Sequence, residues 1–417
     1  MNPVPQISVC IPAFNHQKYI GACIDSVLNQ TLAPFEVIIT DDASTDGTLD
    51  VVKTYADPRI RLFRNRVNCG PSVATNNNLR HAGGEYLCML PSDDMFHPEK
   101  LARQADYLAR HPGVGLVFAS HRAVDEDGAP IEDSAFASAA VEADRPREAW
   151  LADFFHGINA LSAPTVMMRR GVVERVGNCD PRLLQTQDFD LWIRAALHFD
   201  IHVLPEPLVD YRVLADHGNA SGGSPDKQAR TAWEIAKVLR RFLAIDDEDL
   251  FFRIFPQARA LHGRGLPLEA LLTVEAVQAE ESFTRNFGLD LLYELLGEPA
   301  MAEKLEAIGF GYPGLFKFAA LAADRWALDE AANWKAAYAG LEASYANLEE
   351  SNANLEAALA ERNAAYDWQA GQVESWKAAC EGQAREIEKL RATYTFKASR
   401  GMRGLLRRFR PGPAGRS

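Results

Sequence analysis

Over the first ninety positions, short apolar runs alternate with segments of helical period. Ile7–Ala13, Phe35–Thr40, Ile60–Phe63 and Tyr86–Leu90 have the length of buried strands. Between the first two runs, Ile20, Cys23, Ile24, Val27 and Leu28 recur at helical spacing. A second helical segment runs through Val52 and Tyr55, and a third covers Val73–His81. Turn formers separate these pieces: Phe14-Asn15-His16, Asp41 to Gly47, Asn68-Cys69-Gly70-Pro71 and Gly83-Gly84. Such alternation predicts βαβ units, a parallel sheet and right-handed crossovers.

The pattern then changes. Leu101–Ala109 reads as a helix, and Val114–Ala119 and His121–Val124 as paired strands with Asp127-Gly128 as a hairpin signal. Ile131–Pro146 is small, polar and irregular, a candidate mobile loop. A short helix at Trp150–Phe155 and a strand at Thr165–Met168 follow. A helix is expected from Gln187 to Phe199, then short strands at His202–Leu204 and Leu208–Arg212, then a Gly/Ser-rich loop over Asp216–Pro225. The expected fold class is therefore α/β: one domain over residues 1–225, then a helical subdomain over 226–329 without evident chemistry.

From Trp334 the period becomes 3.5 residues, through Tyr338, Leu341, Tyr345, Leu348, Asn352, Leu355 and Leu359, and on to Tyr394. A sustained heptad predicts a left-handed coiled coil over 330–395, with Asn352 setting its register in a homodimer. An intrachain hairpin or a lone solvated helix is the alternative. The tail, 396–417, interleaves Met402, Leu405, Leu406 and Phe409 with seven Lys and Arg and no acid. A basic amphipathic segment of this kind suits an anionic membrane surface, or else the acidic body of the protein.

Composition narrows the classes. Hydrophobic residues make up 47% of the 417, enough for a sizeable core. The net charge of −13 argues against a nucleic-acid binder. Six cysteines without a Cys-x-x-Cys pair fit a reducing compartment, with no disulfide framework or zinc site. With no basic leader and no apolar run of membrane-spanning length, the expected location is cytoplasmic, peripheral at the inner face of the membrane.

Candidate chemistry lies in acids at strand ends and loops: Asp41/Asp42, Asp93/Asp94, Asp188 and Asp190. Asp93 and Asp94 follow a buried strand and precede a helix that Pro98 can open, so they either cap that helix or hold a ligand. Gly-x-Gly-x-x-Gly after the first strand, a P-loop and a Gly-x-Ser-x-Gly elbow are all missing from the sequence. Acids without a covalent nucleophile suit a divalent metal on a diphosphate, with another carboxylate as general base.

Five segments, in this order, resemble the inverting family 2 glycosyltransferases of bacterial cell-surface polysaccharide synthesis, which have the GT-A fold. They are Val9-Cys-Ile-Pro-Ala-Phe-Asn15, Ile39-Thr-Asp-Asp-Ala-Ser-Thr-Asp-Gly47, Gly84-Glu-Tyr with Ser92-Asp-Asp94, Gln187-Asp-Phe-Asp-Leu-Trp192, and Tyr211-Arg212 before His217. The resemblance implies a nucleotide-sugar donor, typically UDP-linked, and a glycan or lipid-linked acceptor. Pro12, Phe14 and Asn15 would form the nucleotide pocket, Asp42 would accept a hydrogen bond from the base, and Asp41 would support that loop. Asp93 would lie near the ribose, Asp94 would ligate Mg²⁺ or Mn²⁺, and Asp188 would be the general base. Asp190 and Arg194 would support the helix of the base. Trp192 would wall the acceptor site or be core, and His217 would approach the diphosphate or have no role. Three positions depart from the family pattern: Pro91 where an Asp is common, Thr75 where an Arg is common, and Gln187 where a Glu is common. A nucleotidyltransferase and an inactive nucleotide-sugar-binding domain on a coiled-coil scaffold are the rival readings.

Overall fold

The computed structural model describes residues 6–131, 144–214 and 225–321, with isolated helical positions between 371 and 389. Among the described residues, eight strands form one sheet. In chain order they are β1 (Ile7–Ala13), β2 (Phe35–Asp41), β3 (Ile60–Arg64), β4 (Tyr86–Met89), β5 (Met95–Phe96), β6 (Val114–Val124), β7 (Met167–Arg169) and β8 (Asp200–Arg212). Their order across the sheet is β3-β2-β1-β4-β7-β6-β8-β5. The first four are mutually parallel, with Ile7 opposite both Phe35 and Tyr86. Helices α1 (Ile20–Leu28), α2 (Thr48–Lys53) and α3 (Pro71–His81) make the crossovers. The first half is thus the Rossmann-like sheet that the alternation predicts.

Residue parity in these strands assigns the two faces. Ile7, Val9, Ile11, Val37 and Ile39 pack on α1 and on α4 (Lys100–Arg110). Cys10, Ile38, Leu87 and Met89 face the other way, with Phe118, Trp150 and Trp192. The helices Pro225–Val238, Glu248–Ile254 and Leu268–Gln278 extend this second core through Val238, Phe251 and Leu272. Gly84 marks a close approach, since a Cβ there would sit 2.6 Å from the Ser8 backbone nitrogen.

The second half of the sheet differs from the expectation. The segments 114–119 and 121–124 are one strand, β6, which pairs parallel to β8 along its length rather than folding on itself. The Asp127-Gly128 turn returns the chain only as far as an isolated bridge, Val124 to Pro130. The strands expected at 202–204 and 208–212 are likewise one. Pro205 and Pro207 interrupt the apolar pattern, but a bulge absorbs them, with the register moving from Ala119–Leu204 to Ser120–Pro207. The helix from Gln187 ends at Ala196, short of Phe199. Pro98 opens no helix: α4 starts at Lys100 with Glu99 as its N-cap, and β5 lies between it and the acidic turn. Asp93 and Asp94 therefore cap nothing.

The predicted coiled coil lies outside the described residues apart from the isolated positions between 371 and 389, which are helical and exposed. The basic tail, His217 and most of the 131–146 loop also lie outside them. No helix among the described residues is long and apolar enough to cross a membrane.

Candidate active site

The chain winds outward from β1 to β3, then returns to place β4 on the other side of β1. The crevice beyond the ends of β1 and β4 is therefore the switch point where open α/β sheets bind ligands. Pro12, Phe14 and Asn15 are at the end of β1, Asp41 and Asp42 at the end of β2, and Asp93 and Asp94 just after β4.

Phe14 is an aromatic side chain left 40% exposed at this rim. Asn15 takes a left-handed backbone, with φ of 52°, and its side chain accepts from the Thr45 N–H at 2.8 Å. Its own N–H donates to Ser44 Oγ at 3.0 Å, so the loops after β1 and β2 are tied together. Asp42 is fully engaged by the protein. Its Oδ1 accepts from Asn65 Nδ2 (2.6 Å) and Cys69 N (3.0 Å), and its Oδ2 accepts from Gly70 N (2.8 Å). Asp41 pairs with Arg64 Nε at 3.1 Å through Oδ2, whereas its Oδ1 is buried without a hydrogen-bond partner. Within this pair Asp42 carries the contacts to the Cys69–Gly70 loop, and Asp41 Oδ1 is the atom without a partner.

Asp93 and Asp94 are nearly inaccessible, at 7% and 1% exposure. Burial raises both carboxyls above the usual range, and Asp93 raises Asp94 further by like-charge repulsion. Arg212 opposes this from a buried position. Its N–H donates to Asp94 Oδ1 at 2.8 Å, and its Nε to the Asp93 carbonyl at 2.9 Å. One guanidinium nitrogen also reaches the carbonyls of Asp125 and Glu126, at 2.8 and 2.7 Å. The Arg212 charge favours the ionised form of both carboxyls, against the desolvation that raises them. His16 faces it as well, with Nδ1 2.8 Å from Ser92 Oγ and 3.9 Å from Asp93 Oδ1.

Two adjacent carboxyl groups are hard-oxygen donors of the kind that Mg²⁺ or Mn²⁺ takes. No group of three or more His, Cys, Asp or Glu that could hold a metal occurs among the described residues.

Asp188 lies in the first turn of the helix Gln187–Ala196. It is partly buried, and its Oδ1 accepts the Phe189 N–H at 2.7 Å. Burial pushes its carboxyl up to about 6. No hydrogen bond or ion pair among the described residues joins it to the Asp93–Asp94 turn. The link runs through α3, whose first residues follow the loop that Asp42 holds. Ser72 Oγ donates to the Leu183 carbonyl at 2.6 Å, and Asn76 bonds both the N–H and the carbonyl of Cys179. Asp190 is wholly buried between Arg194 (2.6 Å) and Arg241 (2.7 Å), the structural part expected of it and Arg194.

Of the two places open to Trp192, the structure puts it in the core. It is completely buried, edge-on to Phe118 with ring centroids 5.0 Å apart. Seven of the ten residues of its helix are buried, so the helix has no single apolar stripe from which its outer face could be read. Arg212, His16 and Glu234 are the contributors that sequence reasoning missed. Arg212 stood within a quoted motif, but nothing local marks it as a clasp on a turn 118 residues away.

An open α/β sheet with a buried carboxylate pair at its switch point and a raised-pKa acid at the start of a later helix has the parts of a nucleotide-dependent transferase. Glycosyl transferase family 2 matches residues 8–177. The putative glycosyltransferase EpsE of Bacillus subtilis (strain 168) is 31% identical over 202 residues, 46% of this chain and 68% of that protein. The putative teichuronic acid biosynthesis glycosyltransferase TuaG of the same strain is 28% identical over 241 residues, 57% of this chain and 89% of that protein. The solved structure of S. aureus TarS 1-349 in complex with UDP aligns at 20% identity with a TM-score of 0.46, over 68% of this chain and 83% of that one. The chain belongs to glycosyl transferase family 2.

Proposed function

We propose that this GT-A glycosyltransferase moves a sugar from a UDP-linked donor to a hydroxyl of a glycan or lipid-linked acceptor, with inversion, in cell-surface polysaccharide synthesis. The observation that carries this reading is the pairing of two environments. The Asp93–Asp94 turn is a buried carboxyl pair whose ionised form a bound cation would favour, and burial raises the Asp188 carboxyl to about 6. Family membership and the two Bacillus relatives support sugar transfer onto surface polymers.

In this reading Phe14 covers one face of the base, and the Asp41–Asp42 turn flanks it. Pro12 and Asn15 shape the same pocket, and Asp93 faces the ribose. Arg212 keeps the turn in place. Asp94 would hold Mg²⁺ or Mn²⁺, which would supply charge neutralisation for the departing nucleoside diphosphate. Asp188, ionised at neutral pH, takes the proton of the acceptor hydroxyl as its oxygen bonds to the anomeric carbon. The bond from that carbon to the diphosphate breaks in the same displacement, so the centre inverts. The supporting experiment is UDP release from a panel of UDP-sugars with Mn²⁺ and a glycan acceptor. At least one donor is expected to turn over, and absence of release from every nucleotide-sugar tried would remove the assignment.

We also propose that residues 330–395 pair two copies in a coiled coil and that residues 396–417 contact anionic membrane. Both rest on the heptad and the Arg clustering in the sequence. A chain ending near residue 330 is expected to sediment as a monomer and to lose binding to anionic vesicles. A truncated chain that stayed dimeric and vesicle-bound would contradict both.

A further inference from the structure

The helix Pro225–Val238 reaches back to the loop that precedes Asp188. Glu234, 1% exposed, accepts four hydrogen bonds from three consecutive residues there. Its Oε1 takes the Leu184 N–H at 3.0 Å. Its Oε2 takes the N–H groups of Gln185 and Thr186 and the Thr186 hydroxyl, each at 2.9 Å. Successive backbone N–H groups converging on one point make an anion-binding concavity. Here the protein fills it with its own carboxylate.

This arrangement replaces the usual helix start. Thr186 is the N-cap of the helix Gln187–Ala196, yet it makes no side-chain capping bond; its hydroxyl donates to Glu234 instead. The start of the helix is thus held from another element, two residues from Asp188. One turn further on, Arg241 pairs with the buried Asp190 at 2.7 Å and with Asp180 at 3.2 Å. The helical region after residue 225 therefore grips the Asp188 helix at two points, on its leading loop and on its first turn.

We infer that Glu234 is a positioning residue for Asp188: its carboxylate fixes the 184–186 loop and thereby the place and burial of the general base. This rests on the reading of Asp188 given above. The physical reason is the steep distance dependence of proton transfer within an aligned pair, where a displacement of about 1 Å can lower the rate about a hundredfold. The groups that face Asp188 are the Phe189 N–H and the Cys179 thiol, which burial pushes up to about 12 and keeps neutral. Asp190, on the same turn, is neutralised by Arg194 and Arg241. Solvation of Asp188, rather than a neighbouring charge, then sets its titration.

The test is steady-state kinetics over a pH series with the full chain, Mn²⁺, a UDP-sugar and an acceptor. Glu234→Gln puts an amide N–H₂ among N–H donors. It is expected to lower kcat about tenfold to a hundredfold, to leave the donor KM within about twofold, and to move the acid limb of the rate profile below about 6. Thr186→Val removes one of the four bonds from the loop side and should change both quantities in the same direction by less. It carries the test if Glu234→Gln does not fold. Wild-type kcat and acid limb in the folded variants, or a fall in kcat with the limb unmoved, would overturn the positioning role. Undiminished turnover in Asp188→Asn would instead overturn the reading of Asp188 itself.

Discussion

Asp188→Asn is expected to lower transfer about a hundredfold to ten-thousandfold, the range that a positioned general base supplies. The amide keeps the volume of the side chain and its bond with the Phe189 N–H, but has no lone pair basic enough to take the hydroxyl proton. In the native enzyme the carboxyl titrates at about 6, because burial penalises its ionised form. The sign follows directly. Below that value Asp188 is protonated and cannot act as a base, so kcat/KM should fall about tenfold per pH unit on the acid side. Above it the rate should be level. A raised carboxyl pKa also means that ionising Asp188 disfavours the folded state as pH rises from about 4 to about 6. The neutral amide removes that penalty, so the melting temperature of Asp188→Asn near pH 7 should match or exceed that of the parent. Lost activity with an intact or raised Tm identifies chemistry; lost activity with a lowered Tm would identify a folding defect and remove the assignment.

The second large effect is expected at Asp94. Asp94→Asn retains an oxygen for the Arg212 N–H, so the turn should stay closed. What it lacks is charge. Stabilisation of a developing phosphate charge by a metal amounts to several kcal/mol, so kcat should fall about a hundredfold to a thousandfold at about 1.4 kcal/mol per tenfold. Stability should move the other way. Removing the more deeply buried of two like charges relieves its desolvation and the repulsion from Asp93, and Tm without metal should rise. Binding of Mn²⁺ with UDP to the native enzyme should raise its Tm with metal concentration, and the variant should lose that response. A metal-dependent Tm shift of native size in Asp94→Asn would place the ion elsewhere.

These two sites differ in how far they could be read from the chain. The turns that carry Asp41, Asp42, Asp93 and Asp94 were legible because they are local: an apolar run of strand length, then acids and turn formers. The shared holding of those turns was not. Arg212 closes on residues 118 and 119 positions earlier, and Glu234 on residues 48 to 50 positions earlier. Neither contact leaves a periodicity or a spacing in the sequence. That Asp42 rather than Asp41 takes the Cys69–Gly70 backbone was illegible for the same reason, since which carboxylate that backbone reaches depends on how the β3–α3 loop lies.

By itself, the sequence determined the parallel βαβ half, the acids at its strand ends and the family to which it belongs. Strand length, helical period and turn chemistry are short-range properties, and each is written within a dozen residues. Only the tertiary structure decided that β6 and β8 are single long strands, because a bulge opposite Ser120 accommodates Pro205 and Pro207. It decided too that Trp192 is core, since the sheet and the later helices cover its helix on nearly every side. It also tied the region after residue 225 to the loop before Asp188, because a carboxylate's partners are set by where three distant N–H groups converge.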